Sequence, residues 1–151
     1  MSETTVTQPH STTTPPAQVW PTLRARDARA LIDFYVAAFG FTETVAYTDD
    51  AGVIVHAELA WPLGGGLMMG QERETSDGHW PIRVGSFGGY VVTRDAAHTD
   101  EVFARAVAAG ATVVAEPYDT DYGSHDCTLL DPEGNHWQFG TYPGHERPAP
   151  A

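Results

Sequence analysis

Two stretches of this chain repeat one pattern, and the repeat constrains the fold more than any single motif does. Residues 19 to 26 form an extended run leading into Arg26-Asp27-Ala28, and residues 87 to 94 form another leading into Arg94-Asp95-Ala96. A helical pattern follows each. In the first copy Leu31, Phe34, Tyr35, Ala38 and Phe39 recur at helical spacing, with Asp27 placed to cap the start and Gly40 to end it. In the second, Val102, Phe103, Ala106 and Val107 repeat the spacing, Thr99 or Asp100 can cap, and Gly110 terminates. Three short extended runs follow each glycine: Thr42-Tyr47, Val53-Trp61 and Leu67-Gln71, then Thr112-Ala115, His125-Leu130 and His136-Tyr142. Strand, helix and three strands, read twice, predict an α+β chain of two tandem βαβββ modules, about 18–72 and 86–142, in one domain over 18–142.

The sharpest local signal lies in the second copy. Asp131-Pro132-Glu133-Gly134-Asn135 separates the apolar runs Cys127-Leu130 and Trp137-Phe139. Pro132 fixes one turn dihedral and Gly134 or Asn135 accepts a positive one, so the segment reads as a hairpin. Outside the repeat, residues 1–17 read as a disordered polar tail and 143–151 as a flexible one, because almost nothing in either can be buried.

This D-P-x-G-N hairpin and the doubled βαβββ order resemble the vicinal oxygen chelate superfamily, which includes glyoxalases, extradiol dioxygenases and bleomycin-resistance proteins. The ending Trp137-Gln138-Phe139-Gly140-Thr141-Tyr142 is similar to that of bleomycin-resistance-like members. The resemblance implies an open cup of mixed β-sheet with helices outside. It also implies, for the enzymes, one divalent metal held by His and Glu side chains from the first and last strands of each module.

Counting those places onto this chain gives Trp20 and the Leu67-Met68-Met69 run in the first module, and Gly88 or Gly89 and Gln138 in the second. Indole has no lone pair for a cation and glycine no side chain. A thioether or neutral amide binds hard cations weakly. No metal and no other cofactor is expected. The seven histidines include no H-x-H or H-E-x-x-H pattern. His56 and Glu58, two apart on one strand, face the same way at roughly 6 to 7 Å and form the one suggestive pair.

Strand alternation then assigns faces. With Gln138 turned into the cup, Trp137 and Phe139 pack beneath the second helix. The same parity turns Trp20, Thr22 and Arg24 inward and puts Val19, Leu23 and Ala25 beneath the first helix, while Tyr90 points inward from the second module. Trp20, Tyr90 and Met68 thus line the cup, an arrangement suited to flat, polarisable ligands. Trp80, in the connection 71–85, reads as a lid or interface anchor. Tyr122 and His125 read as a rim, with His125 able to change charge near neutral pH.

Charge narrows the partners. The chain has 20 acidic residues against 8 basic, a net charge of −12 and a pI near 4.7. Such a surface repels nucleic acid and anionic lipid and favours cationic small molecules. No apolar run spans a membrane, no secretory signal precedes the repeat, and the lone Cys127 cannot pair internally, so a cytoplasmic protein is expected. These readings lead to a metal-independent protein, a homodimer, that sequesters an aromatic or cationic antibiotic-like ligand through Trp20, Thr22, His56, Glu58, Met68, Trp80, Tyr90, Tyr122, His125 and Gln138. The alternatives are a glyoxalase-like lyase, isomerase or cyclase using His56, Glu58, Tyr90 or His125 as acid and base, or a metal-dependent dioxygenase or lyase.

Overall fold

Asp27 and Asp95 start both helices in the same way. The Asp27 carboxylate accepts from Ala30 N at 3.1 Å and that of Asp95 from His98 N at 2.8 Å, each satisfying a backbone donor that the first helical turn leaves unpaired. The second helix therefore begins a turn earlier than a cap at Thr99 or Asp100 implies. Thr99 is instead buried, bonded to Thr93 Oγ1 at 2.7 Å and to the His125 carbonyl at 3.1 Å.

The computed structural model describes residues 17–74 and 81–149. The expectations placed on residues 1–16 and on Trp80 fall outside the described residues. In chain order the elements are β1 Thr22–Ala25, α1 Ala28–Phe34 continued by a π-helical segment Tyr35–Phe39, β2 Thr42–Thr48, β3 Ile54–Ala60, β4 Gly66–Gln71, β5 Gly88–Val92, α2 Ala96–Ala108, β6 Thr112–Asp119, β7 His125–Leu130 and β8 His136–Gly140. They pair as two 4-stranded sheets, β1-β4-β3-β2 and β5-β8-β7-β6, with β1–β4 and β5–β8 parallel and the remaining pairs antiparallel. This is the doubled βαβββ order, with helices covering one face of each sheet.

The first helix widens at its end because Gly40 N and Phe41 N both return to the Tyr35 carbonyl, at 3.1 and 3.3 Å. Gly40 closes it with a φ of 89°, a left-handed conformation that glycine adopts without steric cost. The widened turn carries Tyr35 and Phe39 onto the second module. Trp137 is 2% exposed, as a core residue should be, but its ring packs on Tyr35 at 5.0 Å and Phe39 at 5.3 Å. Phe87 at 5.1 Å and Phe41 at 5.7 Å add to the ring's surroundings, so its nearest aromatic partners come from the end of the first helix and from the segments before β2 and β5, not from the second helix. One apolar core, from Leu23 to Phe139, runs through both modules.

The D-P-E-G-N turn fastens this junction. Gly134 N donates to the Asp131 carbonyl at 3.0 Å, closing the turn, and Gly134 takes a φ of 88°. The buried Asp131 carboxylate accepts from Tyr35 Oη at 2.6 Å, Asn135 Nδ2 at 2.9 Å and Trp137 Nε1 at 3.0 Å, and from the backbone N–H of Glu133 and Asn135. Burial and the adjacent Asp131 charge raise the Tyr35 phenol far above its ordinary range, so it remains a donor. Glu133 in turn accepts from the backbone N–H groups of Arg26 and Asp27. A motif read as a local hairpin is also the main polar joint between the modules.

Other boundaries differ modestly. β1 starts at Thr22, and Val19, placed by parity beneath the helix, is 87% exposed. β6 runs on to Asp119, with irregular register against β7. Residues 143–149 are exposed and without regular structure. Among the described residues no helix is long and apolar enough to cross a membrane.

Candidate functional site

The face of each sheet that the helices leave uncovered carries most of the residues singled out by alternation. On the first sheet Thr22 stands opposite Met68, and Glu58 stands opposite Met68 from the other side. On the second, Tyr90 stands opposite Gln138, which pairs with Thr128. Thr22–Met68 and Tyr90–Gln138 occupy equivalent steps of the two modules, each first-strand member five residues before its helix-opening Asp, whereas the count that gave Trp20 and Gly88 lands two residues earlier.

The first set surrounds a recess of about 370 Å³ lined by Trp20, Thr22, Arg24, Val55, His56, Met68 and Met69. Trp20 lies just ahead of β1 and donates Nε1–H to the Ala17 carbonyl at 2.8 Å, which fixes the indole while leaving it half-buried. Gly66 makes room for it, since a Cβ there would come within 3.0 Å of the indole Cζ3. His56 Nε2 and Glu58 Oε2 meet at 2.8 Å, and the imidazole stacks on Tyr47 with ring centroids 6.2 Å apart. The His–Glu pair can relay a proton, or place a polar edge beside the aromatic floor.

The second set is organised by a residue that the sequence reading passed over. Asp126 is fully buried, and its carboxylate accepts from Gln138 Nε2 at 3.0 Å, Tyr122 Oη at 3.3 Å and Ser124 Oγ. Among the described residues no ion pair involves it, so three neutral donors carry the satisfaction of its lone pairs. Tyr90 Oη lies 3.4 Å from Ser124 Oγ and accepts from Tyr142 N at 3.1 Å. Gly140 permits this crowding, because a Cβ there would fall 2.0 Å from Asp126 Oδ1 and 2.4 Å from Tyr90 Oη. The available signal was the alternation of Cys127 and Leu129 as core residues, which leaves Asp126 and Thr128 on the other face, the one shared with Gln138. It went unread because alternation was anchored on the last strand alone.

Alternation also moves His125. The step that turns Asp126 toward the uncovered face turns His125 toward α2, where its Nε2 meets Asp100 Oδ1 at 2.8 Å and its Nδ1 meets Asp119 Oδ1 at 2.7 Å. Those two bonds, Asp100's first, raise its pKa above the ordinary imidazole value. His125 is thus a clamp between α2 and the end of β6, apart from the other candidates. Among the described residues no hydrogen bond or ring contact links the Trp20 set to the Tyr90 set. Where the modules meet, a cleft of about 130 Å³, which Tyr90 of the second set also borders, is lined by Pro21, Phe41, Trp61, Phe87 and Trp137 among others.

The places counted for the superfamily's metal ligands hold indole, thioether, glycine and amide groups here, with the Thr22 hydroxyl and the Tyr90 phenol beside them. His56 and Glu58 engage each other, and among the described residues no group of three or more His, Cys, Asp or Glu side chains could hold an ion. This donor set does not fit a divalent cation.

The family model of the Glyoxalase/Bleomycin resistance protein/Dioxygenase superfamily matches residues 17–139. Protein Mb0911c of Mycobacterium bovis is 35% identical over 122 residues, covering 80% of each chain, and Rv0887c of Mycobacterium tuberculosis is 35% identical over 122 residues, covering 80% of this chain and 71% of its own. Among solved structures, TioX from Micromonospora sp. ML1 superposes with a TM-score of 0.66 at 28% identity, covering 82% of this chain and 97% of its own. A glyoxalase/bleomycin resistance protein/dioxygenase family enzyme from Burkholderia phytofirmans PsJN gives 0.62 at 23% identity, covering 80% and 94%. With the doubled βαβββ order, the D-P-E-G-N joint and a family match over most of its length, the chain belongs to the glyoxalase/bleomycin resistance protein/dioxygenase superfamily.

Proposed function

We propose that this protein is a metal-independent binding protein that sequesters a small aromatic or cationic molecule, antibiotic-like in chemistry, without turning it over. One observation carries the reading. Trp20, Met68, Gly88 or Gly89, and Gln138 are the places counted for the ligands of the superfamily's metal enzymes, and with Tyr90 beside them they offer stacking and dispersion surface instead of coordinating donors. The net charge of −12 favours a ligand with some cationic character. The two uncovered faces carry complementary candidates that no hydrogen bond or ring contact joins among the described residues, which suits a homodimer with ligand sites at the seam between subunits. The proposed setting is the cytoplasm.

The test is a fluorescence titration with flat aromatic antibiotics, followed by recovery of the ligand. The expected outcome is tryptophan quenching, saturable binding and unaltered ligand. Trp20→Ala should weaken binding by about 1 to 3 kcal/mol through lost stacking and desolvation. Saturable binding by Trp20→Ala equal to that of the unaltered chain would sink the reading.

A second reading rests on the 2.8 Å His56–Glu58 contact. A carboxylate-oriented imidazole on an apolar floor is the arrangement of a general base, and it supports a lyase or isomerase activity without metal. Conversion of the bound ligand, lost in His56→Gln with binding retained, would favour that reading over sequestration.

A further inference from the structure

Arg24 belongs to two recesses at once. On one side it borders the floor of Trp20, Thr22, His56 and Met68. On the other it borders a larger recess of about 540 Å³, lined also by Arg26, Glu72, Arg73, Glu74 and the segment 81–84 with Arg83. The eight basic residues of the chain are all arginines, against 20 acidic residues. Four of those eight, Arg24, Arg26, Arg73 and Arg83, line this one recess, with Glu72 and Glu74 as its acidic members. The local balance is therefore positive where the chain as a whole is strongly negative.

The fold explains how the four come together. β1 and β4 run parallel, with Ala25 opposite Gln71, so the residues that follow each strand, Arg26 and Glu72-Arg73, emerge at the same end. Arg24 points to the uncovered face of β1 and reaches across β4, since a Cβ at Gly70 would lie 2.8 Å from its Nη1. The segment 81–84 returns Arg83 to the same end before β5 begins. Burial chiefly, and the nearby charge of Arg73 in second place, disfavour the protonated form of Arg24. Guanidinium groups present planar forks of donors that match the two oxygens of a carboxylate or phosphate, and several forks around one recess select for an oxyanion.

We propose that the ligand carries an oxyanion, a carboxylate or a phosphate, which seats among Arg24, Arg26, Arg73 and Arg83 while the ligand's ring lies over Trp20 and Met68. The ring half rests on the binding reading above; the oxyanion half does not. The ligand class narrows to aromatic oxyanions, including zwitterions whose cationic end faces the acidic remainder of the protein.

The experiment titrates the full chain with inorganic phosphate and, separately, with benzoate, by calorimetry at an ionic strength matched with sodium chloride. Phosphate should bind, and Arg73→Ala/Arg83→Ala should weaken it about tenfold or more, whereas Arg94→Ala/Arg147→Ala, with the same loss of charge elsewhere, should leave it unchanged. Equal loss in both double variants, or no binding beyond that of chloride, overturns the oxyanion site. Should the first double variant fail to fold, Arg83→Gln at the rim decides: lower phosphate affinity supports the site and unchanged affinity overturns it. Benzoate tighter than phosphate, with Trp20→Ala removing only that advantage, supports both halves. Benzoate no tighter than acetate, with the phosphate result intact, leaves the oxyanion site standing and overturns the stacking reading alone.

Discussion

Replacing Asp131 with Asn tests whether the D-P-E-G-N turn joins the modules or merely reverses the chain. Oδ2 of Asp131 accepts three side-chain donors, from Tyr35, Asn135 and Trp137, and Oδ1 accepts two backbone N–H groups, from Glu133 and Asn135. Asparagine keeps the shape but turns one acceptor into a donor. Its amide must therefore face either the three side-chain donors or the two backbone ones, and facing the two is the smaller loss. Two donors without partners at a site 4% exposed, at about 1–3 kcal/mol each, give an expected cost of about 2–6 kcal/mol. Urea unfolding followed by tryptophan fluorescence reads this as a lowered midpoint with an unchanged slope. Tyr35→Phe should cost about 1–2 kcal/mol by itself, and the double variant should cost less than the sum because both changes act on one network. An Asp131→Asn chain within about 0.5 kcal/mol of the unaltered one, at the same slope, would refute the joint.

Three further outcomes follow from the same structure. Asp100 and Asp119 raise the His125 pKa, so the clamp's stabilisation is full below the unfolded value of about 6.5 and fades as pH rises through the higher folded value; the urea midpoint gap between the unaltered chain and His125→Gln should shrink across that window, and a gap that grows with pH would contradict the clamp. Taking the difference between the two chains cancels His98, whose pKa is lowered mainly by burial. Cys127 is fully buried with its thiol pushed up to about 12, so a thiol reagent at pH 8 should leave the folded chain unlabelled and label it fully in denaturant; rapid labelling of the native chain would place Cys127 elsewhere. Dialysis against nickel, zinc or manganese and elemental analysis should find substoichiometric metal and an unchanged melting temperature with chelator, whereas one tightly held ion per chain would overturn the donor-set argument.

Much of the fold was legible because the chain states it twice. Asp27 and Asp95, Gly40 and Gly110, and three extended runs after each glycine left few arrangements other than two βαβββ modules. What local pattern could not convey was how the modules meet. Helical spacing put Tyr35 and Phe39 on an apolar helix face without saying which sheet they would cover. The π-helical turn from Tyr35 to Phe39 rotates them toward Trp137 of the other module. Asp131 likewise showed its turn chemistry, while its bond to Tyr35, far away in sequence, depends on that rotation.

The site divides along the same line. Period-two alternation is a property of each strand alone, so it sorted Trp20, Thr22, Tyr90 and Gln138 toward the cup side and put His56 and Glu58 on one common face with no tertiary information. It needs an anchor in every strand, however, and β7 had none. Anchored through the pairing of Thr128 with Gln138, β7 turns Asp126 inward and His125 outward, opposite to what charge and loop position suggested. The arginine recess was harder still, since Arg24 and Arg26 lie about 50 residues from Arg73 in sequence, and only the parallel pairing of β1 with β4 brings their ends together. Net charge concealed it further, because a chain at −12 gives no hint that half its cations share one cavity. A binding specificity read from overall charge alone would therefore favour cations, while the part of the surface closest to the aromatic floor selects the opposite sign.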